Sequence, residues 1–164
     1  MRKYLFDYEE LEKDLIVLLS LFSSGHNAIL LKASEESLIL GPLSAVEKII
    51  QEKLITVAIR IRLIDDMFKD YGKSYELPYF IVGDMFINID DKKELYFREA
   101  CNKIIHAKKF NVELKENNDY IPNIYLYGER RSNDWNVIID IKKFIISCLS
   151  LLKNYDDDWD VSAL

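Results

Sequence analysis

The chain has 164 residues, of which 49% are hydrophobic and 30% are charged, with only 5 glycines and 3 prolines. This composition excludes collagen-like and broadly disordered classes. A chain of this length buries roughly two-thirds of its unfolded surface, which predicts one folded domain over 1–164. The formal net charge of −6 excludes a positive field over the whole molecule, so any contact with nucleic acid must be local. The N-terminal pattern is not that of a signal peptide, and no run approaches the roughly 18 to 20 apolar residues of a membrane span. We therefore predict a soluble, cytoplasmic protein.

Hydrophobic spacing in the first half of the chain predicts helices. Apolar residues recur at intervals of three and four from Tyr8 to Phe22, which predicts a first helix. A weaker pattern from Asn27 to Leu40 predicts a short helix, followed by a turn at Gly41-Pro42. A capping box then opens a long amphipathic pattern from Ser44 to Tyr71. It predicts a helix of roughly 40 Å on which the other elements pack.

The middle of the chain combines a breaker signal with a second helix signal. The segment from Lys73 to Ile89 contains a proline and Gly83, which predicts an irregular, buried connection. A second capping box at Asp91 predicts a helix that reaches His106 or Lys108.

After this helix the hydrophobic period changes to two. Alternation over Phe110 to Lys115, Ile124 to Tyr127 and Trp135 to Ile141 predicts a three-stranded antiparallel meander. A last helix follows from Ile141 to Lys153, and an acidic tail over 155–164 is predicted to fray. The predicted fold class is α+β, mainly α: a helical bundle around a long central helix, with a small three-stranded meander before the C-terminal helix.

The cysteines and histidines give no metal signature. Cys101 and Cys148 lie in apolar helical patterns, which predicts reduced, buried thiols. His26 follows a Ser-Ser-Gly sequence in a predicted loop, with no partner nearby in sequence. These residues and His106 lack every standard zinc spacing, and the chain has no phosphate-binding, dinucleotide or nucleophile-elbow motif. We therefore predict no metal and no cofactor.

One helix carries a row of polar residues suited to chemistry. Arg98, Asn102 and His106 are spaced by four residues, so they form one polar stripe on the predicted helix. An arginine binds phosphate through paired donors, a histidine exchanges a proton, and an asparagine orients either group. Leu95 is predicted on the same stripe, which suggests that another surface covers it. The alternative is that the stripe is the solvated face of an amphipathic helix.

A second charged cluster lies on the long predicted helix. Arg60 and Arg62 alternate with apolar residues and are followed by Asp65 and Asp66. The arginines either form local ion pairs with these aspartates, or one of them completes a phosphate site with the polar stripe. The sequence does not select between the two.

The local basic patches are the candidate contacts with an RNA backbone. Lys108 follows the predicted helix, and Arg130 and Arg131 lie in the predicted hairpin loop. Exposed basic loops are also common in proteins that bind no nucleic acid.

The stretch from Leu95 to Ala107 resembles the late helix of HEPN-type proteins, helical domains of toxin–antitoxin, abortive-infection and RNA-cleaving systems. That family places an arginine four to six residues before a histidine; here seven residues separate Arg98 from His106. The resemblance implies metal-independent RNA cleavage at a site formed across a homodimer. It gives His106 the role of acid or base and Arg98 the role of charge stabiliser. It also implies a bacterial defence context with an antitoxin or defence partner. The alternative function is a non-catalytic module that binds a partner protein or a second copy through the same face.

Overall fold

The computed structural model describes six segments of the chain: 8–23, 40–70, 80–87, 91–114, 120–130 and 133–162. The elements in these segments are α1 (Tyr8–Ser23), α2 (Leu40–Asp70), β1 (Ile81–Phe86), β2 (Lys92–Tyr96), α3 (Phe97–His106), β3 (Lys109–Leu114), β4 (Tyr120–Arg130), β5 (Asn133–Asp140) and α4 (Ile141–Ser162).

The strands form one antiparallel sheet in the order β2-β1-β5-β4-β3. The predicted meander is present as β3, β4 and β5, but the sheet continues beyond β5 through β1 and β2. The predicted fold class, a helical bundle with a three-stranded meander, is therefore wrong. The protein has an α+β fold in which a five-stranded sheet is a principal layer.

Only one face of this sheet belongs to the core. In β5 the side chains of Trp135, Val137 and Ile139 are buried, and their cross-strand neighbours Ile124 and Leu126 in β4 are buried with them. Residues between them along the strands are exposed or only partly buried. These inward side chains form a single hydrophobic cluster with residues of all four helices. The helices therefore cover one face of the sheet.

The missed strands explain the wrong fold class. The segment around Asp91 has the letters of a capping box, but the chain runs on as β2, which pairs with β1. Leu95 points into the core from β2, so it is not on the polar stripe of α3 as predicted. Helix α3 begins at Phe97, whose backbone N–H donates to the Phe80 carbonyl at 2.9 Å. Pairing with a neighbouring strand satisfies the backbone of this segment and overrides the local helix signal.

Helix α2 is the long central helix that the sequence predicts, and it joins α1 through a polar contact. The buried Asp14 carboxylate of α1 accepts hydrogen bonds from Lys53 at 2.6 Å and from Arg60 at 3.4 Å. The helix begins at Leu40, so the predicted turn at Gly41-Pro42 is wrong. A proline is tolerated in the first helical turn because its missing N–H would have no intrahelical acceptor there.

The remaining helix boundaries confirm some of the predictions and contradict others. The first helix is confirmed. Helix α4 begins at Ile141 as predicted. Asp140 Oδ1 caps it by accepting hydrogen bonds from the backbone N–H groups of Lys142 and Lys143 at 3.0 and 3.1 Å. Helix α4 continues to Ser162, so its predicted end at Lys153 is wrong. The weak helix predicted after Asn27 falls outside the described segments except for its last residue. Within the described segments, no helix has the length and apolar character needed to cross a membrane.

Candidate functional site

A polar cleft of about 710 Å³ lies between α2, α3 and the paired strands β4 and β5. This volume is in the range of small-molecule binding sites. The residues that line the cleft are Arg62, Arg98, Glu99, Asn102, Lys103, His106, Glu129 and Trp135. The three predicted stripe residues and one of the two predicted α2 arginines therefore line a single cleft.

The buried face of α3 determines which side chains reach the cleft. Phe97, Ala100, Cys101 and Ile104 are buried, and Ile105 is partly buried. The Phe97 ring packs on Phe144 of α4 with 5.3 Å between ring centroids. Because this apolar face fixes the rotation of the helix about its axis, the residues on its polar side face the cleft.

Arg62 connects α2 to the polar stripe of α3. Its Nη1 donates a hydrogen bond to Asn102 Oδ1, and Asn102 Nδ2 donates to Glu99 Oε2 at 3.4 Å. His106 lies one helical turn beyond Asn102 and is exposed at the cleft. Arg62 Nε is buried, and no residue of the described segments accepts its hydrogen bond. A buried N–H without an acceptor is unfavourable, so an anion in the cleft would gain a donor here.

Arg98 is held at the opposite end of the cleft from His106. Its Nη1 forms an ion pair with the buried Asp65, and its Nη2 donates to Asp66 Oδ1 at 2.9 Å. Burial and then the neighbouring Arg62 charge lower the pKa of Arg98 below its ordinary value. Eight residues of helix correspond to about 12 Å of axial rise between Arg98 and His106. Arg62, rather than Arg98, is therefore the arginine that contacts Asn102, one helical turn from His106.

Lys103 and Trp135 form one wall of the cleft. The Lys103 ammonium lies 4.3 Å from the centroid of the Trp135 ring and 3.4 Å from Glu99 Oε1. The indole packs against Gly128 on the neighbouring strand, where a Cβ atom would lie only 2.1 Å from Trp135 Cζ2. A glycine at this position is required for the close approach of the ring. The cation–π contact and the carboxylate hold Lys103 in place although it is almost fully buried.

Most of the other predicted basic contacts lie away from the cleft or already have partners. Arg60 pairs with Asp14 on the α1 side of α2, and Lys108 pairs with the cleft carboxylate Glu129. Their hydrogen bond raises the pKa of Lys108 and lowers the pKa of Glu129. Arg130 is the last residue of β4, whereas Arg131 and His26 are outside the described segments.

Four residues of the cleft were not predicted as site residues. Glu99 and Lys103 could be identified from the sequence, because they lie within one helical turn of Asn102 and His106 on the same helix. Glu129 and Trp135 come from the β4–β5 hairpin. Their position against α3 depends on tertiary packing, for which the local sequence contains no signal.

A buried thiol beneath the cleft gives a testable pH dependence. Burial raises the pKa of Cys101 from 9.0 to about 12, despite the opposing effect of the Arg62 and Arg98 charges, and burial also raises the pKa of Cys148. In the folded state both thiols stay protonated, whereas in the unfolded state they ionise above pH 9. We therefore expect the free energy of unfolding to fall between pH 9 and pH 12, by about 1 kcal/mol at pH 10 for Cys101.

Urea denaturation at pH 7.5, 9 and 10 measures this loss. The matched control is the Cys101→Ala/Cys148→Ala double variant, which retains the tyrosines and lysines that also titrate in this range. An equal loss of stability in the wild type and the double variant would show that the thiols do not contribute.

Comparison with protein-family models, with curated proteins and with solved structures found no match for this chain. Within the described segments, no three His, Cys, Asp or Glu side chains form a group that could hold a metal ion. The chemistry of the cleft is therefore inferred from its own residues.

Proposed function

We propose that the cleft binds a phosphodiester group of RNA and that His106 promotes its cleavage, the reaction implied by the resemblance to HEPN-type proteins. The supporting observation is that Arg62 reaches Asn102, one helical turn from the exposed His106, in a cleft lined by three basic side chains and two carboxylates. The proposed context is a bacterial defence or toxin–antitoxin system. The HEPN-like assignment is part of this proposal, and it concerns the site rather than the helical fold of that family.

Each residue has a separate role in the proposed reaction. The RNA 2′-hydroxyl attacks the adjacent phosphorus, the new 2′-O–P bond forms, and the P–O5′ bond breaks. His106 accepts the 2′ proton or donates a proton to the leaving 5′ oxygen. Arg62 stabilises the charge that develops on the phosphorus oxygens, and Asn102 positions the Arg62 guanidinium. The products are a 2′,3′-cyclic phosphate and a 5′-hydroxyl.

The lining of the cleft supports catalysis over a sealed interface. An interaction surface on the α3 stripe requires apolar residues on that stripe, and the sequence offers Leu95 for this purpose. Leu95 is instead fully buried in β2. The stripe faces a polar cleft with Arg62, Arg98 and Lys103 in its walls.

A different observation favours a second candidate function, binding of a partner protein or a second copy. Ile59 and Leu63 on α2 are 43% and 51% exposed; Ile59 lies about one helical turn before Arg62, and Leu63 directly follows it. Exposed apolar side chains next to a cleft are typical of interaction surfaces. Under this proposal the α2 face forms a homodimer or binds an antitoxin-like protein without cleaving RNA.

The first test is cleavage of a fluorescently labelled single-stranded RNA by the purified chain in the presence of EDTA. We expect the wild type to cut RNA but not the DNA of the same sequence, because the 2′-hydroxyl is the nucleophile. We expect His106→Ala and Arg62→Gln each to lower the rate by about 10²- to 10³-fold. Lys53→Gln is the matched control: Lys53 is another α2 cation, it pairs with Asp14 outside the cleft, and its replacement should leave the rate unchanged.

Two outcomes would contradict the proposed function. Equal RNA cleavage by the wild type and a folded His106→Ala variant would show that His106 does not promote the cleavage. No cleavage by the wild type, together with intact total RNA on expression in a bacterial host, would leave the interaction function. Light scattering of the wild type and Leu63→Glu would then test that function, since only the wild type should self-associate or retain the partner.

A further inference from the structure

The carboxylate of Asp66 lies between the two arginines of the cleft. Its Oδ1 accepts a hydrogen bond from Arg98 Nη2 at 2.9 Å, and its Oδ2 lies 3.6 Å from Arg62 Nη2. One carboxylate therefore pairs with two guanidinium groups from different helices. This is the arrangement in which paired arginines bind an anion such as phosphate.

Asp65 and Asp66 are adjacent in sequence but differ in their environments. The Asp65 side chain is 2% exposed and pairs with Arg98 from within the protein, so it is a permanent counter-ion. The Asp66 side chain is 51% exposed, so its carboxylate can turn into solvent at little cost.

Removal of the Asp66 carboxylate changes the local charge. Without it, Asp65 remains as the counter-ion of Arg98, which leaves a net charge of about +1 on Arg62, Arg98 and Asp65 taken together. The buried Arg62 Nε also remains a donor without an acceptor in the described part of the chain. The vacated position offers a net positive charge and hydrogen-bond donors from both guanidinium groups.

We propose that the Arg62–Arg98 pair is a binding site for a phosphate dianion, and that Asp66 occupies this site in the free protein. A phosphodiester carries one negative charge, so its exchange for the carboxylate gives no electrostatic gain. A phosphomonoester carries about −1.5 to −2 charges at pH 7 and presents three acceptor oxygens, against two for the carboxylate. The site therefore selects the monoester, as in a nucleotide or a phosphorylated RNA end.

The consequence for cleavage rests on the proposed function. An RNA diester gains a second negative charge when its phosphorus becomes pentacoordinate, so Asp66 is displaced more readily in the transition state than in the bound substrate. An interaction that strengthens only in the transition state raises the rate of the chemical step. Strands that end in a phosphomonoester then compete for the same pair of arginines and inhibit the reaction.

The test is calorimetric titration of the purified full chain with three ligands: uridine 3′-monophosphate, its methyl ester and inorganic phosphate. The methyl ester keeps the nucleoside and removes one negative charge. We expect the wild type to bind the monoester about tenfold more tightly than the methyl ester, which is one additional charge-assisted hydrogen bond. In Asp66→Asn both the monoester and the methyl ester should bind about tenfold more tightly than they do in the wild type, because neither ligand then has to displace a carboxylate. Inorganic phosphate separates recognition of the phosphate alone from recognition of a nucleotide.

Asp84→Asn is the matched control, because Asp84 is another partly exposed aspartate, on β1, and it pairs with Lys92 of β2 at 3.1 Å. Unchanged affinities in Asp66→Asn, an equal gain in Asp84→Asn, or equal wild-type affinity for the monoester and its methyl ester would each overturn the inference. Thermal melting of each variant confirms folding. Tight monoester binding without RNA cleavage would refute the proposed function and leave the phosphate site. Cleavage that depends on His106, with no effect of Asp66→Asn on binding, would refute the phosphate site and leave the proposed function.

Discussion

Replacement of Gly83 by alanine is expected to lower the free energy of unfolding by about 3 kcal/mol, at the upper end of the range for an overpacked core site. Gly83 pairs with Leu95 on one side and with Ile139 on the other. A Cβ atom at this position would lie 1.9 Å from the Ile138 carbonyl oxygen and 3.0 Å from its carbon. Both atoms belong to the backbone of the central strand, so the contact cannot be relieved by rotation of a side chain. Strand β1 must therefore move away from β5, which weakens the sheet at its centre.

Urea denaturation of the purified variant measures this effect. Asp84→Ala is the matched control, because it introduces the same residue at the next position of β1, where the side chain is partly exposed and pairs with Lys92. We expect the control to change the free energy of unfolding by less than about 1 kcal/mol. If Gly83→Ala were as stable as Asp84→Ala, the close approach of β1 and β5 would be wrong.

The second large effect is expected at Asp65. In Asp65→Asn the buried partner of Arg98 loses its charge while its shape is kept. Loss of one member of a buried ion pair costs 3 to 5 kcal/mol, but Arg98 is one-third exposed and keeps Asp66. We therefore expect a loss of about 2 to 3 kcal/mol in the free energy of unfolding. The Arg98 guanidinium should also lose its fixed position in the cleft.

The neighbouring Asp66→Asn variant is the control for this prediction, since its carboxylate is half exposed and should contribute no more than about 1 kcal/mol. A double-mutant cycle of Asp65→Asn with Arg98→Met isolates the pair, because Asp65→Asn should cost much less once the guanidinium is absent. Equal destabilisation by Asp65→Asn in the presence and absence of Arg98 would show that the ion pair is not the cause.

The helical parts of the fold could be predicted from the sequence because their signals are local. The spacing of Leu11, Leu15 and Leu18 specifies α1, and the apolar period of α2 specifies a long helix, both of which are observed. The alternation in β4 and β5 is equally local. By contrast, Gly83 weakened the strand signal of β1, since glycine within a strand is unfavourable unless another strand approaches closely. That approach is a tertiary feature, so β1 and β2 were missed.

The residues of the cleft also divide into those with a local sequence signal and those placed by tertiary contacts. Asn102 and His106 share a helix face, so their convergence could be predicted from helical geometry. The choice between Arg60 and Arg62 could not be predicted, because it depends on Asp14 of α1, which pairs with Arg60. The predicted local pairing is observed for Arg62 with Asp66 at 3.6 Å. The Asp65 carboxylate pairs with Arg98 of α3, a contact between two helices that local spacing does not predict.

The strand order has a consequence for synthesis of the chain on the ribosome. The hairpins β1–β2 and β3–β4 each form from neighbouring segments, so each can pair while later residues are still being translated. Strand β5 lies between these hairpins and pairs with both β1 and β4, yet it is the last strand to be made. The β1–β2 and β3–β4 hairpins therefore cannot join into one sheet until residues 133–140 have left the ribosome. Since Trp135 of β5 forms a wall of the cleft, the nascent chain has no complete cleft until that moment.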